Sequence, residues 1–166
     1  MALKNLIYVK KCLGKDRKPI QIYKIRTMDL DADQRLDELV DGFDSYGHPM
    51  SDPRVTPIGR FLRKYGIDEI PQLYNLSKGD IKLVGIRPNG EIDWEKYPKD
   101  LMERALKQKP GLMGVPYAYP NTDNFDELFE YLTEYMDKWE ENPTKTDRDY
   151  FSRIVRNIIF NGVRSR

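Results

Sequence analysis

Cysteine is almost missing from this chain. Cys12 stands alone, so an internal disulfide is excluded, and its default is a buried, inert thiol suited to a reducing compartment. Histidine is as scarce: His48, in the loop Tyr46-Gly47-His48-Pro49, is the single one and is assigned no role, and no cysteine–histidine metal spacing exists. No apolar run approaches the roughly 18 residues that a membrane span requires, and the first nine residues lack the apolar core of a signal peptide. Charge of one sign is also lacking: 28 Lys and Arg against 27 Asp and Glu leave a net +1, which provides no global field for nucleic acid. A Gly-rich phosphate loop, a serine nucleophile elbow, internal repeats and low-complexity tracts are absent from the sequence.

What remains fits one globular domain over residues 1–166. With 39% hydrophobic and 33% charged residues, such a chain can bury a real core. The expected class is α+β, a small antiparallel or mixed sheet against several amphipathic helices. Residues 6–9 and 20–25 read as strands of a hairpin turning at 14–18, and alternation puts Lys24 and Arg26 on one face. The acidic stretch 29–44 begins Asp29-x-Asp31-x-Asp33, but Gln34 and Val40 stand where a calcium loop needs glycine and a bidentate acid. It reads as a solvated, partly helical connector.

The chain is organised around residues 51–88. Thr56-Pro57 predicts an N-cap with proline at the first helical position. Ile58, Phe61, Leu62 and Tyr65 share one face and Arg60, Arg63 and Lys64 the other; core packing and an anionic membrane interface both account for that pattern. Gly66 is the expected left-handed stop. Ile70, Leu73 and Tyr74 resume the helical period, and Pro71 limits the start of a second helix. Asp68 is thereby expected at or near its N-cap and Glu69 in its first turn. Two readings follow from that placement. Asp68 is a capping residue with Glu69 complementing the dipole, or the positive helix end keeps Asp68 ionised beside a phosphate it attacks. Arginines on both sides of the two acids suit a metal and a diphosphate.

Beyond the centre, a turn at 77–80, a strand at 81–85 and a loop at 87–90 are expected, then a helix over 98–108 with Leu101, Met102, Ala105 and Leu106 inward and a loop over 112–120. Phe125, Leu128, Phe129, Leu132, Tyr135, Met136 and Trp139 form a core stripe that Asn142-Pro143 breaks. Thr146-x-x-Asp149 resembles a capping box opening a last helix with Tyr150, Ile154, Val155, Ile158 and Ile159, followed by a basic tail at Arg164 and Arg166.

These residues resemble the bacterial sugar transferases, or monotopic phosphoglycosyl transferases, from near Tyr8 to about Gly162. Tyr23-Lys24-Ile25-Arg26-Thr27-Met28 is similar to the family's lysine–arginine strand. Asp52-Pro53-Arg54-Val55-Thr56 with Gly59-Arg60-Phe61-Leu62-Arg63-Lys64 is similar to its amphipathic helix, and Asp68-Glu69-x-Pro71-Gln72-Leu73 to its catalytic dyad. The resemblance implies a two-step transfer of a sugar phosphate from a nucleotide-diphosphate sugar to a polyprenyl phosphate, as a first membrane step of polysaccharide or glycoconjugate assembly. Asp68 holds the nucleophile's position and Glu69 that of the residue holding Mg²⁺. Lys24, Arg26, Arg63 and Arg87 are the candidates for binding substrate phosphate. The resemblance also implies a cytoplasmic, peripheral location at the inner face of the cell membrane. Departures are Lys10-x-Cys12 for a Gln-x-Arg, Gly85-Ile86-Arg87-Pro88 for Gly-Pro-Arg-Pro, and Met113, Tyr117 and Tyr119 in the loop after Pro110-Gly111. The family's N-terminal hydrophobic segment has no counterpart in these residues, and Asp149 matches the family's late aspartate only loosely. Two other readings stay open: an inactive relative serving as a binding or assembly module, and a phosphotransferase with a non-lipid acceptor.

Overall fold

A computed structural model describes residues 5–35, 52–119 and 124–162. Most of the 29–44 connector, His48, Arg164 and Arg166 fall outside these. The class is α+β, with helices and, among the described residues, two small two-stranded sheets.

Strands β1 (Ile7–Leu13) and β2 (Pro19–Ile25) form the expected antiparallel hairpin, in register from Ile7↔Ile25 to Leu13↔Pro19. β1 runs four residues beyond its expected end, because lysines at 10 and 11 keep an extended backbone when only one face is covered. Cys12 is buried as expected, and its thiol faces the Pro88 carbonyl at 3.5 Å. Leu13 N donates to Asn89 O at 2.9 Å and Lys10 pairs with Asp93 at 2.7 Å. The hairpin and the loop that carries Arg87 are thereby held together.

After β2 the chain turns along Thr27–Met28, where Met28 bridges Val55. Helix α1 (Pro57–Lys64) starts on Thr56 as its spacing predicts. The Thr56 hydroxyl accepts from Gly59 N at 2.9 Å and donates to Thr27 O at 3.2 Å. Gly59 permits that docking, since a Cβ there would lie 2.0 Å from Thr27 O. Gly59→Ala is therefore expected to unfold the protein or lower its stability by about 3 kcal/mol, the scale of an overpacking error in a tight contact. Thermal unfolding of the variant measures this, and an unchanged midpoint would show that α1 docks loosely.

Strand β3 (Lys82–Gly85) pairs in parallel with β4 (Gly111–Gly114), a strand in what reads as loop. A Cβ on Gly111 would come within 2.1 Å of Gly85 N, so glycines that read as loop in sequence permit this close pairing. Between them lie a short helix α3 (Glu91–Trp94) and α4 (Lys99–Ala105). The main core gathers Val84, Ile86, Trp94, Leu101, Val115, Leu132, Tyr135, Met136, Tyr150 and Ile154. The stripe of α5 (Phe125–Glu141) faces it as expected.

Helix α6 (Pro143–Phe160) begins one turn before the expected capping box. Asn142 is the cap, accepting from Lys145 N at 3.1 Å, while Thr146 Oγ1 donates to Lys138 O at 2.8 Å. The Thr146–Asp149 box is thus corrected: Asn and Pro at the junction already supply cap and first position. It is Asp147 that faces inward, at 2.8 Å from Lys82 Nζ and 2.7 Å from the Tyr135 hydroxyl, with Lys82 also 4.8 Å from the Trp139 ring. This network staples β3 to α5 and α6.

Candidate active site

Gly66, at φ 66°, ends the first helical segment as expected. The next element differs from expectation. Ile67–Glu69 is a 3₁₀ turn, and α2 (Gln72–Lys78) starts with Pro71 in the cap position. Asp68 is therefore not a cap, because proline lacks an N–H and takes the cap position itself. A helix dipole does not account for its environment either. Asp68 is 6% exposed, and its Oδ1 has no hydrogen-bond partner. Burial raises its carboxyl above the ordinary range; Lys24 opposes this, Glu69 adds to it, and Arg63 again opposes it.

Glu69 takes the opposite course. Burial alone would raise it, but Arg87 and then Lys24 outweigh burial and hold it below the ordinary range. Lys24 Nζ donates to Glu69 Oε1 at 3.1 Å, and Arg87 Nη2 binds the same oxygen. Two adjacent acids thus have their affinities for protons pushed apart, a difference that environments at functional sites commonly impose.

Each cation is positioned by a different element. Lys24 follows Ile22 by two residues, so the covered face of β2 presents it. Burial and Arg87 lower its affinity for protons, against Glu69. Arg87 leaves the end of β3, where Gly114 makes room for it; a Cβ on Gly114 would lie 2.8 Å from Arg87 Cγ. Its Nη1 donates to Tyr117 Oη at 3.3 Å and its guanidinium lies 5.8 Å from that ring's centroid. Arg63, on α1, donates to Thr27 Oγ1 at 2.9 Å and feels the charge of Asp68.

Arg26 does not join them. β2 ends at Ile25, and Arg26 instead donates to Asn5 O at 3.1 Å over the Tyr8 ring. The shared face expected of Lys24 and Arg26 holds, since Arg26 lies over Tyr8, which pairs with Lys24, and its N–H still reaches Leu6 O; its side chain nevertheless ends on Asn5 and not on the acids.

An open groove of about 270 Å³ runs from Glu69 between Tyr65, Leu73, Met113, Tyr117 and Ile158. Asp68 lies behind Glu69 rather than on the groove wall. Met113 and Tyr117, two of the family departures, line it. Tyr119 does not: it stacks on Tyr131 at 3.7 Å and its hydroxyl meets Glu134 and Tyr150.

Sequence reasoning missed the inward face of this segment. Asp68, Gln72 and Asn75 are all buried, while Ile70, Leu73 and Tyr74 are all more than half exposed. The amphipathicity is inverted. Asn75 anchors the segment to β2, accepting from Tyr23 N at 3.1 Å and donating to Gln21 O at 2.6 Å. The polar stripe at 68, 72 and 75 has helical spacing, and that is the signal that was available.

Among the described residues no cluster of three or more potential ligands could hold a metal by itself. Lys24 and Arg87 both occupy Oε1 of Glu69. The donor set fits Mg²⁺ only as a site completed by substrate phosphate and water around Glu69 Oε2, the usual manner of that ion.

A family model described as bacterial sugar transferase matches residues 2–159. A galactosyl transferase of Streptococcus agalactiae is 36% identical over 138 residues, 80% of this chain and 30% of the relative. An undecaprenyl-phosphate galactose phosphotransferase of Salmonella typhimurium is 33% identical over 141 residues, 80% of this chain and 29% of its own. A UDP-glucose:undecaprenyl-phosphate glucose-1-phosphate transferase of Escherichia coli is 33% identical over 138 residues, covering 76% and 27%. The chain spans less than a third of these three relatives. With nearly its whole length inside that model, and the acidic pair, the lysine strand and the arginine loop brought to one place, the chain belongs to the bacterial sugar transferase family.

Proposed function

We propose that this protein is a phosphoglycosyl transferase acting on a nucleotide-diphosphate sugar, with Asp68 as nucleophile. The observation that carries the reading is the Lys24–Glu69–Arg87 cluster, with Glu69 on the wall of a groove and a buried, partly unpartnered Asp68 next to it in the chain. An oxygen of Asp68 attacks the sugar-bearing phosphorus. The bond from that phosphorus to the bridging oxygen breaks, and nucleoside monophosphate leaves. Lys24 and Arg87 would neutralise charge on the diphosphate, and Arg63, whose charge Asp68 feels, would assist. A phosphate oxygen of a polyprenyl phosphate then attacks the same phosphorus and releases Asp68. Glu69 would hold Mg²⁺, which supplies Lewis-acid neutralisation of the phosphate oxygens when bound. Relatives named for undecaprenyl phosphate support the lipid acceptor.

The test is release of nucleoside monophosphate from a panel of nucleotide-diphosphate sugars, with Mg²⁺ and with or without a polyprenyl phosphate. A stoichiometric burst without lipid, and turnover only with it, is the expected result. No release with any donor would defeat the reading, and sustained turnover without lipid would replace the acceptor.

We infer further that these residues work at the cytoplasmic face of the membrane, with the exposed apolar side of α1 against the lipid surface. No helix among the described residues is long and apolar enough to cross a membrane. Of the apolar residues expected on α1, Ile58 is 73% and Phe61 57% exposed, and they continue into Tyr65, Ile70, Leu73 and Tyr74. Lys64 and Lys78 flank the patch. An apolar surface edged by lysines suits an anionic interface. Sedimentation with anionic vesicles tests it: Ile58→Glu and Phe61→Glu should each weaken binding about 10-fold, from losing about 1.5 kcal/mol of apolar burial. Equal binding by both variants and the parent would remove this face from the interface.

A further inference from the structure

Gln72 is fully buried, and neither Oε1 nor Nε2 has a hydrogen-bond partner. Such a group is expensive, since an unsatisfied buried amide forfeits its hydration without return. One helical turn earlier lies Asp68 Oδ1, also buried and unpartnered. Ile67–Glu69 is a 3₁₀ turn, Ile70 and Pro71 keep right-handed helical backbone, and α2 follows from Gln72, so Asp68 and Gln72 lie about one turn apart and both face inward. Asn75, the third member of the stripe, is satisfied by β2 and holds the face inward. The two groups left over are complementary. A carboxylate offers only acceptors and the amide offers two donors.

We propose that Gln72 is the positioning residue for Asp68: its side-chain amide donates to Asp68 Oδ1 in the working enzyme, leaving Oδ2 directed at the donor phosphorus. The last torsion of glutamine is broad and soft, so the amide can turn to the carboxylate without moving the helix. The bond would fix the plane of the carboxylate and offset part of the cost of burying it. Lys24 from β2, Arg63 from α1, Glu69 from the groove wall and Arg87 from the loop after β3 all act on the same carboxylate. Apart from the backbone N–H of Asp68 itself, Gln72 is the neutral donor among these, so it can orient the nucleophile without tying up its charge. The proposal rests on Asp68 being the nucleophile.

Gln72→Met keeps length and volume and removes the amide. Single-turnover release of nucleoside monophosphate should fall about 10- to 100-fold, the scale of a misplaced reacting group, while KM for the donor changes little. A packing role alone predicts the opposite, because methionine fills the same space. Unchanged release by a folded Gln72→Met would overturn the proposal. If that variant does not fold, the side-chain amide resonances of Gln72 in the intact protein decide. They should lie downfield relative to Asp68→Ala, and coincident resonances would equally overturn it. Asp68→Asn separates the two ideas. Release that survives Asp68→Asn defeats the nucleophile reading itself, whereas release lost in Asp68→Asn but intact in Gln72→Met defeats only the positioning role.

Discussion

Asp68→Asn should lower nucleoside monophosphate release by about 10,000-fold or more, the scale on which an enzyme suffers when its nucleophile is deleted. The same variant should be at least as stable as the parent. Burial raises the Asp68 carboxyl above the ordinary range, so its charged form is disfavoured in the fold despite Lys24 and Arg63. A raised folded value means that the native protein binds the proton more tightly than the unfolded chain. The cost of the charge is therefore fully present above the folded value and fades as pH falls towards the unfolded one. Relief of about 1 kcal/mol, the low end for a buried unpartnered group, corresponds to about 2–4 °C in a chain of this size. Thermal unfolding of metal-free protein at neutral and acidic pH checks it: the variant's advantage should be largest at neutral pH and narrow in acid. A gain in stability with a loss of activity is the pattern of a strained functional group. A loss of stability instead would make Asp68 a structural anion for Lys24 and Arg63.

Arg87→Ala should have the second largest effect, and on two quantities at once. Glu69 loses one of its two cations and remains largely buried, with a side chain 13% exposed. Breaking a buried pair from one side costs about 3 kcal/mol. The diphosphate loses a guanidinium, which is expected to cost about 100- to 1,000-fold in turnover. Arg87→Lys separates the contributions. A lysine restores a charge near Glu69 but cannot also present a second nitrogen to Tyr117 Oη, so stability should recover more than activity does. Unfolding midpoints and steady-state release on both variants provide the comparison. Normal turnover in a destabilised Arg87→Ala would confine Arg87 to holding Glu69.

The comparison of Arg87 with Arg26 shows why some of the site could be read in advance and some could not. Both stand in motifs of the family, and both are cations beside apolar residues. Arg87 reaches Glu69 because Gly114, on a strand that reads as loop, leaves room for its side chain. Arg26 keeps the Lys24 face but lies over Tyr8 and is taken by Asn5 O, a backbone group brought there by the hairpin. Neither cause is local to the arginine. Asp147 and Asp149 make the same point: two positions on α6 decide which acid meets Lys82, and the helix start at Asn142 decides those positions.

Features governed by neighbours within a turn or two were legible in the chain itself. These are the hairpin, the Thr56 cap, the Gly66 stop, the α5 stripe, and the adjacency of Asp68 and Glu69 at the centre. Their energies come from short-range geometry, so residue type and spacing suffice. Which side of α1 and α2 turns inward was not legible, because periodicity defines a face without saying what covers it. Packing settled that question by placing Gly59 on Thr27, Asn75 on β2 and the apolar rows outside. The same packing separated the two acids chemically, burying Asp68 while giving Glu69 to Lys24 and Arg87, charges from strands far apart in sequence.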